Sequence, residues 1–295
     1  MGPGISPGQR LNFETIGYAG SDGIGCDIPD YPNMTEWDAA EYSRRSSLQE
    51  AMAQEVLALL DLNGSERILD VGCGDGKITA EIASRVPKGS VIGVDPSRDM
   101  INFAQAHFGP ATLPNLRFEV ADARSLPFKN EFDLVVSFNA LHWITEQQAA
   151  LSSIRSTLVS NGKAQLRLVA AGARKSLEHV VEEIRRTPRW NAYFEDFDTP
   201  YLHLTPEKYA AMAERSGFRV LRVSTKDYAW DFGSRTAFSG FSAVGCVAWT
   251  SRLPAAERTD FINDVLDRYQ AVASGHSGEE NTFKFYQMDI SLLTI

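Results

Sequence analysis

The sequence predicts an α/β fold: a mostly parallel, doubly wound sheet with an antiparallel C-terminal strand and a helical cap over one end. Three observations predict it. Short apolar runs alternate with amphipathic helical stretches from Arg67 to about Leu168. Runs such as Val91-Ile92-Gly93-Val94 and Leu134-Val135-Val136 lack polar alternation, which marks strands buried on both faces, as in a parallel sheet. The first strand runs into a glycine-rich turn and then a helix, so a ligand crevice is expected at the carboxyl ends of the strands.

Along the chain, residues 1–36 are rich in Gly and Pro and show no periodicity. They read as a disordered arm or, on the strength of Phe13, Tyr18 and Tyr31, as an ordered lid. Leu48, Met52, Val56 and Leu59 form a stripe at helical spacing, which predicts a helix over 37–62, ended by Asn63-Gly64. Strands are expected at 68–71, 91–95, 116–121, 132–138 and 164–169. Thr205 as N-cap and Gly217 as stop bound a helix over 205–216. A strand follows over 218–228. Residues 230–280 read as helical, with Phe261, Ile262, Val265, Leu266 and Tyr269 on one face. The last strand spans 283–293. The division is therefore 1–36 as arm or lid, 37–170 as a cofactor-binding core, and 171–295 as cap insertions plus the last helix and strands of the sheet.

Composition narrows the function classes. With 295 residues, 43% of them hydrophobic and 23% charged, the chain has enough apolar surface for a large core. A net charge of −9 argues against a nucleic-acid partner, because phosphate backbones are bound through dense Lys and Arg patches. Arg185, Arg186 and Arg189 form the densest basic spot and read as a solvated helix face. Cys26, Cys73 and Cys246 lie far apart, so neither a disulfide scaffold nor a metal site is expected. With no leader-like start and no apolar run of about 18 residues, a cytoplasmic location without a membrane span is expected.

The strongest motif is Leu69-Asp70-Val71-Gly72-Cys73-Gly74-Asp75-Gly76-Lys77. Dinucleotide sites use GxGxxG to set a helix N-terminus on a pyrophosphate. Here the glycines read GxGxG, and Lys77 stands where the third would be. Asp70 is awkward beside a pyrophosphate but suits the ammonium and sulfonium of S-adenosylmethionine (SAM). Asp95 ends the second strand, where an acid accepts both ribose hydroxyls. Asp122 follows the third strand, where it would take an adenine amino group. Each aspartate alone also reads as a strand-end or helix-cap residue; three at consecutive strand ends point to one nucleoside.

Four segments resemble motifs I to IV of the class I SAM-dependent methyltransferases: 69–76, Gly93-Val94-Asp95-Pro96-Ser97, Glu119-Val120-Ala121-Asp122-Ala123, and 132–143. The resemblance covers about residues 67–170. It implies a Rossmann-like domain with SAM held mainly by Gly72, Gly74, Asp95 and Asp122, and with Pro96 and Ala123 beside those carboxylates. It also implies Met100 packed on adenine and Asn139 near the methionine moiety.

Class membership specifies the methyl donor, not the acceptor. Gln49 lies on or beside the stripe of the opening helix, and Trp143 and His142 follow the fourth strand. Gln49 also reads as a stripe-edge side chain reaching solvent, Trp143 as core, and His142 as a structural histidine. Together Gln49 and Trp143 look like the acceptor clamp of carboxyl methyltransferases. The stretches 37–49, 138–143 and Phe283-Lys284-Phe285-Tyr286-Gln287-Met288 resemble the group that holds juvenile hormone acid, fatty acid and trans-aconitate methyltransferases. The implied substrate is a small carboxylic acid. Trp190, Phe194, Trp230, Phe232, Phe238, Phe241 and Trp249 would suit an apolar tail, so a fatty or isoprenoid acid is expected; their other reading is a second core. A polycarboxylate would want several cations, for which Arg167 and Arg174 are the candidates. Rival readings are an amine, hydroxyl or carbon acceptor with His142 as base, and a SAM-binding regulator without catalysis.

Overall fold

The computed structural model describes residues 47–295, with side chains from Met52 onward. The lid or arm at 1–36 and the start of the predicted opening helix, with Trp37 and Tyr42, lie outside the described residues. Seven strands form one sheet: β1 (Arg67–Val71), β2 (Ser90–Asp95), β3 (Leu116–Val120), β4 (Phe132–Phe138), β5 (Leu158–Ala170), β6 (Phe218–Asp231) and β7 (Thr282–Thr294). Their order is β3-β2-β1-β4-β5-β7-β6. β1 to β5 pair in parallel, and β7 runs antiparallel between β5 and β6. This is the predicted Rossmann-like arrangement, with the chain reversing direction outward from β1, which opens a crevice beside β1 and β4.

Helices cover both faces. α1 (Ser47–Ala58), α2 (Lys77–Arg85) and α3 (Arg98–His107) press Val56, Ile82 and Ile101 against Ile68, Val91 and Val136. On the opposite face α4 (Gln147–Thr157) packs Leu151 and Ile154 against Leu69, Leu166 and Ile290, and α6 (Pro206–Arg215) adds Tyr209 and Met212. The alternation along β1 follows from the strand period of two: Leu69 and Val71 face α4, while Ile68 and Asp70 face α2. Thr205 caps α6 by accepting from the Lys208 N–H, and Gly217 follows in the left-handed region at φ 83°, both as expected.

The cap has its own core. α5 (Leu177–Arg185), α7 (Arg235–Gly245), α8 (Val247–Thr250) and α9 (Arg258–Ala273) enclose Val181, Phe238, Trp249 and Phe261 against Phe283 and Phe285 of β7.

Several boundaries differ from the sequence reading. α1 ends at Ala58, and Asn63-Gly64 forms a separate turn in which Glu66 accepts from three successive backbone N–H groups. β5 starts six residues early, because Leu158 pairs with Phe132 before Asn161 turns through φ 61°. Arg185 is no solvated side chain. It is buried, bound to Glu182, and lies 5.2 Å from the Phe197 ring centroid, whereas Arg186 and Arg189 are exposed. The helical pattern placed all three arginines together; the apolar side of α5 carries Arg185 inward with its counter-ion.

Candidate active site

The glycine turn joins β1 to α2 and is tied to β2 by Gly72 and Cys73 N–H bonds to the Val94 carbonyl at 2.8 and 3.0 Å. Gly72 and Gly74 both have positive φ, 78° and 52°, but for different surroundings. A Cβ on Gly72 would lie 2.2 Å from Ala140 Cβ, so this glycine lets the turn pack on the loop after β4. A Cβ on Gly74 would meet nothing within 4 Å, which leaves its face open to a ligand.

Beneath the turn, Asp70 is 2% exposed and accepts a hydrogen bond from Thr79 Oγ1 at 2.6 Å. Burial pushes its carboxyl up to about 7, against the Thr79 bond, and the nearby Asp95 charge adds to the rise. A buried acid of this kind is stabilised in its charged form by an arriving cation.

Asp95 is anchored through both oxygens, accepting from Gly74 N–H at 3.0 Å and Ser97 N–H at 2.9 Å. Pro96 follows, half-buried. Ser97 caps α3 by accepting from the N–H of Met100, which is itself buried. Asp122 caps the 3-10 turn Ala123–Ser125 and accepts from the Arg124 backbone N–H at 2.8 Å. The Arg124 guanidinium also lies against both Asp122 oxygens, with Nε at 3.0 and 2.9 Å and Nη2 at 2.5 Å. Ala123 is buried beside it.

At the end of β4, Asn139 adopts φ 57° and donates its N–H to the Arg167 carbonyl at 2.7 Å. The turn Leu141–Trp143 follows. His142 is buried, with Nδ1 facing the Val169 N–H at 3.5 Å; burial and the neighbouring His203 hold its imidazole well below the usual range, hence neutral. Trp143 is half-buried, 6.2 Å ring to ring and edge-on to Trp249. Trp249 donates its indole N–H to Glu182 at 2.8 Å, and Glu182 also accepts from Arg185, Arg186 and Thr199. Gln49 lies in the first turn of α1; its side chain is outside the described residues.

The aromatics expected around an apolar tail divide into two sets. Trp190, Phe194, Phe238 and Trp249 are buried in the cap core, so the second-core reading holds for these four. Trp230, Phe232 and Phe241 are only partly buried. Arg167 is bound in the sheet by Asp289 at 2.7 and 2.9 Å, with Glu55 at 3.5 Å. Arg174 lines a cleft of about 380 Å³ at the carboxyl end of β5 with Lys175, Tyr201, His203, Lys284 and Tyr286. Its three cations pair with Asp227, Glu183 and Glu279, none of which lines the cleft.

Four residues of this region were given no role from the sequence: Thr79, Arg124, Glu182 and Gln287. Thr79 had a signal, a hydroxyl three positions after Gly76 on the strand-facing side of a helix. Gln287 had one too, an amide inside an apolar strand pattern. Arg124 and Glu182 look like ordinary surface charges until their partners are in place.

The residues fit SAM. An open glycine face, a buried carboxyl awaiting a cation and a doubly anchored strand-end carboxylate match a sulfonium nucleoside with an ammonium group. Among the described residues, no cluster of His, Cys, Asp or Glu suits a metal ion, and no helix is long and apolar enough to cross a membrane. A family model described as a methyltransferase domain matches residues 68–162. The malonyl-[acyl-carrier protein] O-methyltransferase of Geobacter sulfurreducens is 31% identical over 193 residues, covering 64% of this chain and 70% of that protein. The trans-aconitate 2-methyltransferase of Deinococcus radiodurans is 27% identical over 81% of this chain and 92% of its own length. The juvenile hormone acid O-methyltransferase of Bombyx mori is 26% identical over 77% and 84%. In fold, a methyltransferase structure from Bacillus halodurans superposes with a TM-score of 0.60 at 17% identity, covering 82% of this chain and 98% of that one. With motif, topology and relatives in agreement, this chain belongs to the class I SAM-dependent methyltransferases, in the group that includes these carboxyl O-methyltransferases, and SAM is its cofactor.

Proposed function

We propose that this methyltransferase esterifies a carboxyl group of a small acid. The observation that carries the reading is His142. Phenol or amine acceptors usually need a base to take their proton, and His142 is the candidate for that role. The histidine closest in sequence to the expected acceptor site is buried, and its imidazole is a weak base held well below the usual range. A carboxylic acid of pKa roughly 4–5 is already ionised at neutral pH and needs no base.

When bound, SAM supplies an electrophilic methyl group on a sulfonium. Asp95 would accept the ribose hydroxyls, with Pro96 beside it. Asp122 and Ala123 would meet the adenine edge, with Met100 packed on its face. Gly72 and Gly74 would allow close approach of the backbone, and Asp70 and Asn139 would face the methionine moiety. Gln49 and Trp143 would hold the acceptor carboxylate through an amide and an indole N–H and so orient one of its oxygens toward the methyl group. Neutral donors suit this step, because the acceptor's charge disappears as the ester forms; a lysine or arginine would favour the ground state.

For the acceptor's remainder, the partly buried Trp143, Phe197, Tyr201 and Phe241, packed against the cap core, support a fatty or isoprenoid acid. A second reading, a polycarboxylate, draws support from Arg174, Lys175 and Lys284 in the cleft. Incubation with octanoate, laurate, farnesoate and trans-aconitate, followed by mass detection of methyl esters, separates the two. Trp143→Ala and Gln49→Ala are each expected to slow turnover roughly 10–150-fold while SAM still binds, and His142→Ala to keep the maximal rate. Near-normal turnover in both clamp variants would overturn the clamp, and methylation of amines or alcohols alone would overturn the carboxyl reading.

A further inference from the structure

Gln287 lies on β7 within Phe283-Lys284-Phe285-Tyr286-Gln287-Met288, and the roles assigned above give it nothing to do. It is 1% exposed. A buried amide is costly unless its polar atoms are paired, and a methionine would fill similar space without that cost. The amide is therefore there for its hydrogen bonds.

Its Nε2 donates twice, to the Leu168 carbonyl at 3.0 Å and to Asn139 Oδ1 at 3.0 Å. Its Oε1 is buried without a partner. A backbone carbonyl only accepts, so the Leu168 bond decides which end of the Gln287 amide is nitrogen. An amide nitrogen only donates, so the Asn139 atom that meets it is the oxygen. The two N–H donors of Asn139 Nδ2 must then be directed away from Gln287. The Asn139 backbone is pinned as well, at φ 57° with its N–H on the Arg167 carbonyl. One amide orientation results.

We propose that Gln287 is a positioning residue that sets the Asn139 amide to present N–H donors, selecting the carboxylate rather than the ammonium of the cofactor's methionine moiety. The inference rests on Asn139 facing the cofactor. It divides the recognition between two residues: Asn139 for the anionic end of the amino acid, Asp70 for the cationic end.

Calorimetry with S-adenosylhomocysteine and with S-adenosyl-3-thiopropylamine, which keeps the ammonium and lacks only the carboxylate, tests it. Gln287→Met is expected to weaken S-adenosylhomocysteine about tenfold, one hydrogen bond's worth, and to leave the thiopropylamine unchanged. A purely structural role would weaken both alike. Asn139→Ala should show the same ligand split, and Gln287→Met added to it should cost nothing further, since one acts through the other. If Gln287→Met fails to fold, Gln287→Glu keeps the shape and replaces the donor by an acceptor; the same selective loss is expected. Unchanged binding by Asn139→Ala would remove the cofactor reading of Asn139 and the inference with it. A selective loss in Asn139→Ala without one in the Gln287 variants, or additive losses in the double variant, would overturn the role of Gln287 alone.

Discussion

A carboxyl group sealed beneath α2, with the Thr79 hydroxyl as its hydrogen-bond donor, keeps its proton to about pH 7. For Asp70 the folded pKa stands above its ordinary value of 3.8, so the ligand-free fold binds the proton more tightly than the unfolded chain does. That contribution to stability is complete below pH 3.8 and is lost as pH rises towards 7. Asp70→Asn, which has no proton to lose, should therefore melt above the parent at pH 8 without ligand and lose that advantage near pH 4. SAM, a cation at its sulfonium and ammonium, should reverse the preference. Its affinity for the parent is expected to fall about tenfold per pH unit below the folded pKa, and Asp70→Asn should bind it weakly at every pH. A melting difference independent of pH, or a flat affinity profile, would mean that this carboxyl does not titrate as its burial dictates. The identity of Asp70 was legible in the sequence because it sits two residues before the first glycine. Its proton was not, because both the desolvation and the Thr79 hydrogen bond depend on α2 closing over it.

At the scale of elements, the turn between β1 and α2 uses two glycines for two purposes. Gly72→Ala adds a methyl 2.2 Å from Ala140 Cβ at φ 78°. Left-handed backbone costs about 1–2 kcal/mol for a non-glycine residue, and overpacking against the β4 loop about 1–3 more. Gly74→Ala meets nothing within 4 Å and should cost only the backbone part. Urea unfolding should thus find Gly72→Ala the less stable of the two. Calorimetry should find SAM affinity reduced at least tenfold in Gly74→Ala, whose methyl enters the open face. Equal stabilities, or intact SAM binding by Gly74→Ala, would contradict this division. The glycine pattern was legible; the division was not, since it depends on Ala140, a residue 68 positions away whose approach is set by β1 pairing with β4. The same holds for β5. Its apolar half was plain in the sequence, but its first turn of chain, Leu158 followed by the polar stretch 160–163, becomes strand because Phe132 offers Leu158 a partner. Local pattern identifies an element where one face repeats, and misses it where pairing alone holds it.

On the scale of the molecule, the sheet joins the two ends of the described chain through one buried arginine. Arg167 on β5 is 4% exposed, holds Asp289 of β7 with two hydrogen bonds and reaches Glu55 of α1. Glu55 in turn accepts from the Tyr228 hydroxyl of β6, and Lys226 lies 3.7 Å away. The chain contacts run from the helix that carries Gln49 to the last two strands. From sequence, Arg167 read as a cation for a polycarboxylate acceptor. Nothing in its own segment revealed Asp289, 122 positions away, which lies opposite it only because β7 returns antiparallel in this register. The cap aromatics pose the same problem: their abundance was visible, but Trp190 and Trp249 are assigned to the core only when α5, α8 and α9 close around them. The ion pair supplies a test of how the network contributes. Removing one partner of a buried pair strands the other charge and typically costs about 3–5 kcal/mol, whereas replacing both with apolar side chains is often neutral. Arg167→Met alone should therefore lower the unfolding free energy found by urea titration by that amount, with Asp289 left unpaired. Arg167→Met combined with Asp289→Leu should recover most of the loss, short of full recovery because Glu55 still loses its contact with Arg167. The combined variant should keep SAM affinity, since neither side chain is assigned to the cofactor. If the double variant is as unstable as Arg167→Met, the arginine stabilises the sheet through its stem and its packing, and the charge pair is incidental to the fold.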